Sequence, residues 1–272
     1  MEQAQARPNA AGETTRLDQL AGWVGEGVVS AFSLIGNVII FIWNMTVEIP
    51  KFFKDSRATV EQMAKIGITS LPLVFLTSIF TGAVTAYQAA YQFSDYIPLT
   101  YLGTAVGKSI MLSLGPVLTA LVVAGRVGAA MAAEIGTMRV TEQIDAMECL
   151  SLNPFRYLFM PRFVASLVML PVLVIFSSFV GIMGALIVAA GFFDLDSKIF
   201  FSGVKLFFSL KDVFIGMFKA FIFGGIIATI GCYYGYFTSG GAVGVGESTK
   251  KSVVASSVLI LIGCYLVDGV FL

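Results

Sequence analysis

The chain has 272 residues, of which 57% are hydrophobic and only 12% charged, with a mean hydropathy of +0.87. A soluble domain of this size carries about a quarter charged residues, so the composition is that of an integral membrane protein. The formal net charge is zero and histidine is absent, which gives no basis for a nucleic-acid partner and removes the commonest metal ligand and general base. Cys149, Cys232 and Cys264 are scattered without a Cys-x-x-Cys spacing and read as small apolar fillers.

Residues 1–18 are polar and of mixed sign, and read as a disordered tail rather than a cleaved signal peptide. Residues 19–62 form a second region. Its apolar stretch, 27–47, is long enough to span a membrane, yet it carries Ser30, Ser33, Asn37, Asn44 and Thr46, and Trp23 and Trp43 suit an interface. The remainder, 63–272, reads as one helical membrane domain. A helix needs about 20 apolar residues to cross the hydrocarbon. Five segments meet that length: roughly 66–91, 102–136, 163–193, 213–237 and 253–272.

In the second segment, Gly103, Gly107, Lys108 and Ser109 imitate a phosphate-binding loop. The glycines enclose three residues where the motif needs four, and no strand precedes them. The stretch therefore opens a membrane helix, and Lys108 is expected to snorkel to the outer headgroups. Further on, Gly125, Ala129 and Ala133 recur every fourth residue, as do Gly128, Ala132 and Gly136. Residues four apart share a helix face, so two ridges of small side chains admit another helix closely. Ordinary packing accounts for such ridges; a moving or dimeric contact is the sharper alternative. Arg126 and Glu134 sit in this ladder near the inner boundary. Ionisable groups at that depth are costly and face protein or water. Arg126 either snorkels to phosphates or, with Glu134, braces the helix end that transmits motion; a direct lipid-headgroup role is the weakest of the three readings.

Glu142, Asp145 and Glu148 then recur every third residue as an acidic stripe beside an apolar one of Ile144, Met147 and Leu150, with Gln143 in the same stretch. Pro154 limits this helix, because the residue before proline resists the helical region. An amphipathic helix of about two turns suits a groove on a partner. A solvated loop helix is the plainer reading. Lys219 falls inside the fourth segment and Asp268 near the outer end of the fifth. An ammonium at that depth needs a carboxylate, water or lipid phosphate beside it. Lys219 is thus a candidate for a cavity that attracts an anionic headgroup, with pairing to Asp268 as the alternative. The glycines of 240–246 read as a flexible turn, since no strand precedes them.

Positive charge sets orientation. Arg7, Arg16, Lys51, Lys54, Arg57 and Lys65 precede the first segment, Arg139, Arg156 and Arg162 follow the second, and Lys250 and Lys251 follow the fourth. All lie on one side if five helices span and 27–47 lies flat as an interfacial elbow helix. That reading places the N-terminus in the cytoplasm and the C-terminus outside. A six-span alternative moves only the N-terminal tail. No internal repeat is visible, which weakens an inverted-repeat transporter.

Residues 115–162 resemble the permease subunits of Mla-type lipid ABC transporters, the MlaE/YrbE family. The matching segments are GPVL at 115–118, GRVGAA at 125–130, AEIGTMRVTEQIDAM at 133–147, and NPFRYL with Pro161-Arg162 within 153–162. The likeness covers roughly 64–272 and is weaker over the elbow. It implies an all-α integral membrane protein with an N-terminal elbow helix, five transmembrane helices and a cytoplasmic coupling helix between the second and third. Glu142, Gln143, Ile144, Asp145, Met147, Glu148 and Leu150 would meet the ATPase.

The resemblance further implies an inner-membrane homodimer, two ABC ATPase subunits on the cytoplasmic side and an MCE-domain protein on the periplasmic side. Its substrate would be phospholipid or a related lipid. The chain itself would be no enzyme and bind no cofactor; ATP and Mg would belong to the partner ATPase. Related permeases carry a lysine in the fourth helix, as here at Lys219. They also carry an Arg-Glu pair where Leu112 and Ser113 stand here, so these two join Lys219 and Asp268 as candidates for the lipid cavity. The rival from another class is a secondary transporter or channel with Lys108, Lys219 and Asp268 along an ion path. A structural membrane scaffold is a third.

Overall fold

The computed structural model describes residues 56–93, 98–206 and 208–271, together with Gly36, Ile40, Phe41 and Trp43. The chain divides into two compact units, Met1–Asn44 and Met45–Leu272. In the first, the four described residues are helical. The expected tail at 1–18 and most of the expected elbow at 27–47 lie outside the described residues.

Among the described residues of the second unit, five helical stretches are long and apolar enough to cross a membrane: Arg57–Phe93, Leu99–Val140, Phe155–Phe192, Leu210–Tyr236 and Gly241–Phe271. Each segment expected from hydropathy is present, and four of them extend well beyond the apolar run. Polar residues continue the helices past the hydrocarbon, so hydropathy marks the membrane and not the helix end.

The first span is α1, Ser56–Phe93. The second is built from α2 (Leu102–Ser109), α3 (Gly115–Val123) and α4 (Ala129–Val140), joined without a break by π-helical turns at Ile110–Leu114 and Ala124–Gly128. A short helix, α5 (Gln143–Cys149), follows. The third span opens with a π turn, Phe155–Phe159, and continues as α6, Met160–Phe192. A helix outside the five apolar segments, α7 (Ser197–Leu206), connects it to α8, Leu210–Tyr236, and α9, Gly241–Phe271, follows.

Close backbone approach holds the first and third spans together. A methyl group added at Gly82 would meet the Gly181 carbonyl oxygen at 1.8 Å, and one at Gly184 would meet that of Ile79 at 2.3 Å. One turn before Gly82 and Gly181 the Ser78 and Ser177 hydroxyls bond at 2.8 Å. In a bilayer, where apolar surface gains little by leaving lipid, such tight contacts are the main adhesive. The central core joins all five spans, through Val74, Val123, Leu173, Phe223 and Ile260 among others. Large side chains such as Phe80, Tyr91, Ile187 and Leu266 face outward, as a lipid-facing surface requires.

The phosphate-loop imitation resolves into the same kind of contact. Gly103 and Gly203 let α2 and α7 touch: a Cβ on the first would meet the Phe200 carbonyl at 2.2 Å, and one on the second the Thr100 carbonyl at 2.5 Å. Lys108 does not snorkel alone; it ion-pairs with Asp212 at 3.6 Å. The flexible turn expected over 240–246 is shorter than that. Gly240 and Gly241 have positive φ, of 89° and 69°, and α9 starts at Gly241, so Gly244 and Gly246 are helical. A left-handed pair followed by the helix-forming run Glu247–Lys251, itself held by a Lys251–Glu247 ion pair at 2.8 Å, is enough to start the helix early.

Candidate functional site

Helix α5 is only seven residues long and is bounded by left-handed residues on both sides: Glu142 and Ser151, each with φ 59°. The Ser151 N–H donates to the Glu148 carbonyl and the Leu152 N–H to that of Met147, each at 2.9 Å. This is a Schellman termination with serine in the place that glycine favours. A left-handed residue other than glycine costs roughly 1–2 kcal/mol, so the surroundings must hold the turn in place.

They do so through one compact box. Ile144 is fully buried, and Arg139 at the end of α4 ion-pairs with Asp145. The Arg139 guanidinium also lies 5.4 Å from the centre of the Tyr236 ring at the end of α8. The Tyr236 hydroxyl donates a long hydrogen bond, 3.4 Å, to Glu148 Oε1. Its ring packs against Phe159 at 5.7 Å and Phe155 at 6.1 Å, both in the π turn that opens the third span. Asn153 caps that turn by accepting the Phe155 N–H at 3.0 Å. Through these contacts α5 is tied to the second, third and fourth spans together.

The two expected stripes of this helix are thereby redrawn. Asp145 and Glu148 face partners within the chain, so the acidic edge is not free. The apolar stripe splits: Ile144 points inward, Met147 is half-buried, and Leu150 is 72% exposed because the helix has ended before it. Gln143, Ala146, Cys149 and Leu150 make up the outward side, with Glu142 exposed at its start.

Deeper in the membrane, the four residues proposed to line a lipid cavity do meet. Lys219 is fully buried, and its Nζ donates to Asp268 Oδ1 at 2.5 Å, to the Leu112 carbonyl at 2.9 Å and to Ser113 Oγ at 3.3 Å. Local chemistry explains the carbonyl. In an α-helix the Leu112 oxygen would accept from residue 116, which is Pro116 and has no N–H. The π turn opens there and Lys219 supplies a donor. Cys264, one turn before Asp268, donates to Asp268 Oδ2 at 3.4 Å. The expectation that Lys219 meets a headgroup directly is corrected by this closure: the ammonium already has a carboxylate and faces no open space. Lys108 stands apart from this cluster, paired with Asp212, while Lys219 pairs with Asp268.

Open space lies on another side of the fourth span. A cavity of about 270 Å³ between the second, third and fourth spans is lined by Met111, Val174, Phe179, Ile182, Gly216 and Met217, among others, with Ser178 as a polar member. Met111 and Gly216 adjoin the Lys219 cluster in sequence and form one of its walls.

The boundary charges do not pair with each other. Glu134 is shared between Lys65 of α1 and Arg162 of α6, the latter at 3.2 Å, while Arg126 is exposed. The small-residue ladder also divides. Gly128, Ala132 and Gly136 face the fourth span and its end: added methyls would lie 3.3 Å from Ile227 at Gly128 and 2.9 Å from Thr238 Oγ1 at Gly136, and Ala132 is fully buried. The other ridge is looser; Ala129 and Ala133 are half-buried and a methyl at Gly125 would meet nothing within 4 Å.

Sequence reasoning missed the Arg139–Tyr236 box, Lys65 as a partner of Glu134 and Asp212 as that of Lys108. Arg139 and Asp145 are six apart, which is no helical spacing, and the other pairs join distant segments, so no periodic signal announces them.

A model of the family described as "Permease MlaE" matches residues 59–269. The chain is 43% identical over 241 residues to a "Probable ABC transporter permease protein" of Synechocystis, covering 89% of each. It is 40% identical over 255 residues to a protein of the same description from Rickettsia conorii, covering 94% of this chain and 98% of the relative. The "Intermembrane phospholipid transport system permease protein MlaE" of Haemophilus influenzae is 32% identical over 239 residues, covering 88% of this chain and 92% of that protein.

Proposed function

This chain belongs to the MlaE permease family and is a permease subunit of an ABC transporter; on that premise we propose that it moves phospholipid between the inner membrane and a periplasmic MCE-domain partner. Two copies form the membrane channel, and two ABC ATPase subunits dock on the cytoplasmic side and carry ATP and Mg. The phospholipid cargo follows the printed name of the Haemophilus relative. The N-terminus is cytoplasmic and the C-terminus periplasmic, in keeping with the lysine and arginine asymmetry.

The observation that carries the reading is the box around Tyr236. An ATPase acts on a membrane domain only through contact, and α5 is a rigid helix whose inner side is tied to three spans and whose outer side is open. Glu142, Gln143, Leu150 and the exposed flank of Glu148 meet the ATPase, while Ile144, Asp145 and Met147 transmit its motion inward. In this assignment the apolar cavity beside Met111 and Met217 takes an acyl chain, and Lys219 with Asp268 holds the wall of that cavity.

Purification of the native complex with mass analysis of its subunits and lipids tests the proposal. An ATPase, an MCE-domain protein and phospholipid in the complex are expected. A chain that purifies alone and transports under an ion gradient without ATP would refute it.

A further inference from the structure

A second cavity, of about 180 Å³, lies at the end of the bundle that carries α5, between α1 and the junction of α3 with α4. Gln62, Lys65 and Thr69 line it from α1; Arg126 and Glu134 line it from the second span. Its floor is apolar, with Ile66, Val127 and Met131 buried. Eighteen residues separate Arg126 from Lys108, about 27 Å of helix against a hydrocarbon thickness of ~30 Å. The cavity thus sits at the membrane boundary opposite the Lys108–Asp212 pair.

Its charges do not balance. The single carboxylate, Glu134, is already shared by Lys65 and Arg162. Arg126 makes no ion pair or hydrogen bond with another described residue. Among the described residues, three cations, Lys65, Arg126 and Arg162, thus stand against this one carboxylate, and Arg126, which has no partner among them, lines the cavity. The π turn at Ala124–Gly128 carries Arg126 and shifts its direction relative to a regular helix; such turns recur at functional positions. A guanidinium presents a planar fork of donors that matches phosphate oxygens, and Lys65 adds a mobile point charge beside it.

We propose that this cavity binds the phosphate-bearing headgroup of an anionic lipid, with Arg126 as the principal ligand and Lys65 as the second. Gln62 and Thr69 offer polar contacts to a headgroup alcohol, and the apolar floor takes the start of the acyl chains. In the orientation given above, the lipid comes from the cytoplasmic leaflet. The inference rests on the membrane placement of these spans alone, so it stands or falls separately from the cargo and direction of transport.

The test uses the full chain in detergent with a photoreactive benzoylphenylalanine in place of Ala130, an exposed lining residue. Dioleoyl phosphatidylglycerol and dioleoylglycerol are the probes, and the same label at the lipid-facing Phe80 is the control. The phosphatidylglycerol adduct at 130 should exceed the dioleoylglycerol adduct roughly tenfold, the ratio expected for one charge-assisted contact. Arg126→Gln should remove that preference and Arg126→Lys should retain part of it. Arg126 is exposed, so neither variant should shift thermal unfolding. Excess inorganic phosphate should leave the adduct unchanged. Equal adducts from both lipids, a preference no greater than at Phe80, or insensitivity to Arg126→Gln would each overturn the site. Loss of the adduct to inorganic phosphate would overturn the lipid as its source.

Discussion

Lys219 on α8 and Asp268 on α9 meet at 2.5 Å with the ammonium fully buried, and the remaining bonds of that ammonium reach Leu112 and Ser113 on the second span. One cation therefore joins three spans at the point where Pro116 deprives the second of a backbone donor. The arrangement resolves the difficulty of a lysine at this depth without any ligand. The contacts of the pair are structural: they join the second, fourth and fifth spans.

Breaking such a pair should be worse than removing it. An uncompensated buried charge costs about 3–5 kcal/mol, whereas apolar replacement of both partners is often neutral. Lys219→Met should destabilise the solubilised chain strongly. Asp268→Leu should also destabilise it, by leaving the ammonium bare. The double variant should recover most of the loss, and thermal unfolding in detergent reads the cycle. Losses that simply add would show that the two residues are not coupled.

The box around Tyr236 separates docking from transmission. Leu150→Asp changes an outward residue that is 72% exposed. It should lower ATPase binding while leaving unfolding of the chain unchanged. Tyr236→Ala removes the ring that Arg139, Phe155 and Phe159 share. It should leave ATPase binding within about threefold of normal, since the half-buried ring lies on the inner side of α5, yet reduce transport at least tenfold by freeing α5 from the fourth span. Co-purification and lipid transport measured side by side check both. Equal effects of the two variants on binding would rule out the division of labour.

The ladder of small residues makes a directional forecast. Gly136→Leu and Gly128→Leu place bulk against Thr238 and Ile227, and should prevent normal assembly of the bundle. Gly125→Ala adds a methyl into open space within the chain and should leave the monomer's unfolding unchanged. Yield and thermal unfolding of the three variants decide. A Gly136→Leu chain as stable as the parent would mean that the α4–α8 contact gives way easily.

Hydropathy reveals the five spans because a bilayer demands long apolar helices, and the central motif reveals α5 because proline and periodicity bound it. Helix α7 escapes that reading. Its amphipathic pattern is short, and its two buried positions, Phe200 and Gly203, acquire meaning only against Gly103 of another span. The site was legible as a set of unusual residues, among them Lys219, Asp268, Arg126 and Glu134, but not as pairs. Partners such as Lys65 with Glu134 lie 69 residues apart, and only the packing of α1 against the second span brings them together. Sequence identified the costly charges; folding decided which were neutralised and left Arg126 without a partner among the described residues.

Orientation offers the cleanest test of the membrane placement. Ser197 starts α7, between the third and fourth spans, and is exposed. Val243 lies in the first turn of α9, between the fourth and fifth spans, and is 84% exposed. One span separates them, so they must lie on opposite sides of the bilayer. The exposed Cys149 and the less accessible Cys232 and Cys264 are first replaced by alanine. The proposed orientation, argued from the excess of lysine and arginine around Arg139, Arg162 and Lys251, predicts Val243 on the cytoplasmic side. Ser197→Cys in intact cells should then react with a membrane-impermeant maleimide, while Val243→Cys should react only after the membrane is opened. The opposite pattern would invert the chain. It would place α5 outside, where no ATP-driven partner reaches it, and labelling of both sites from outside would show that the fourth helix does not cross.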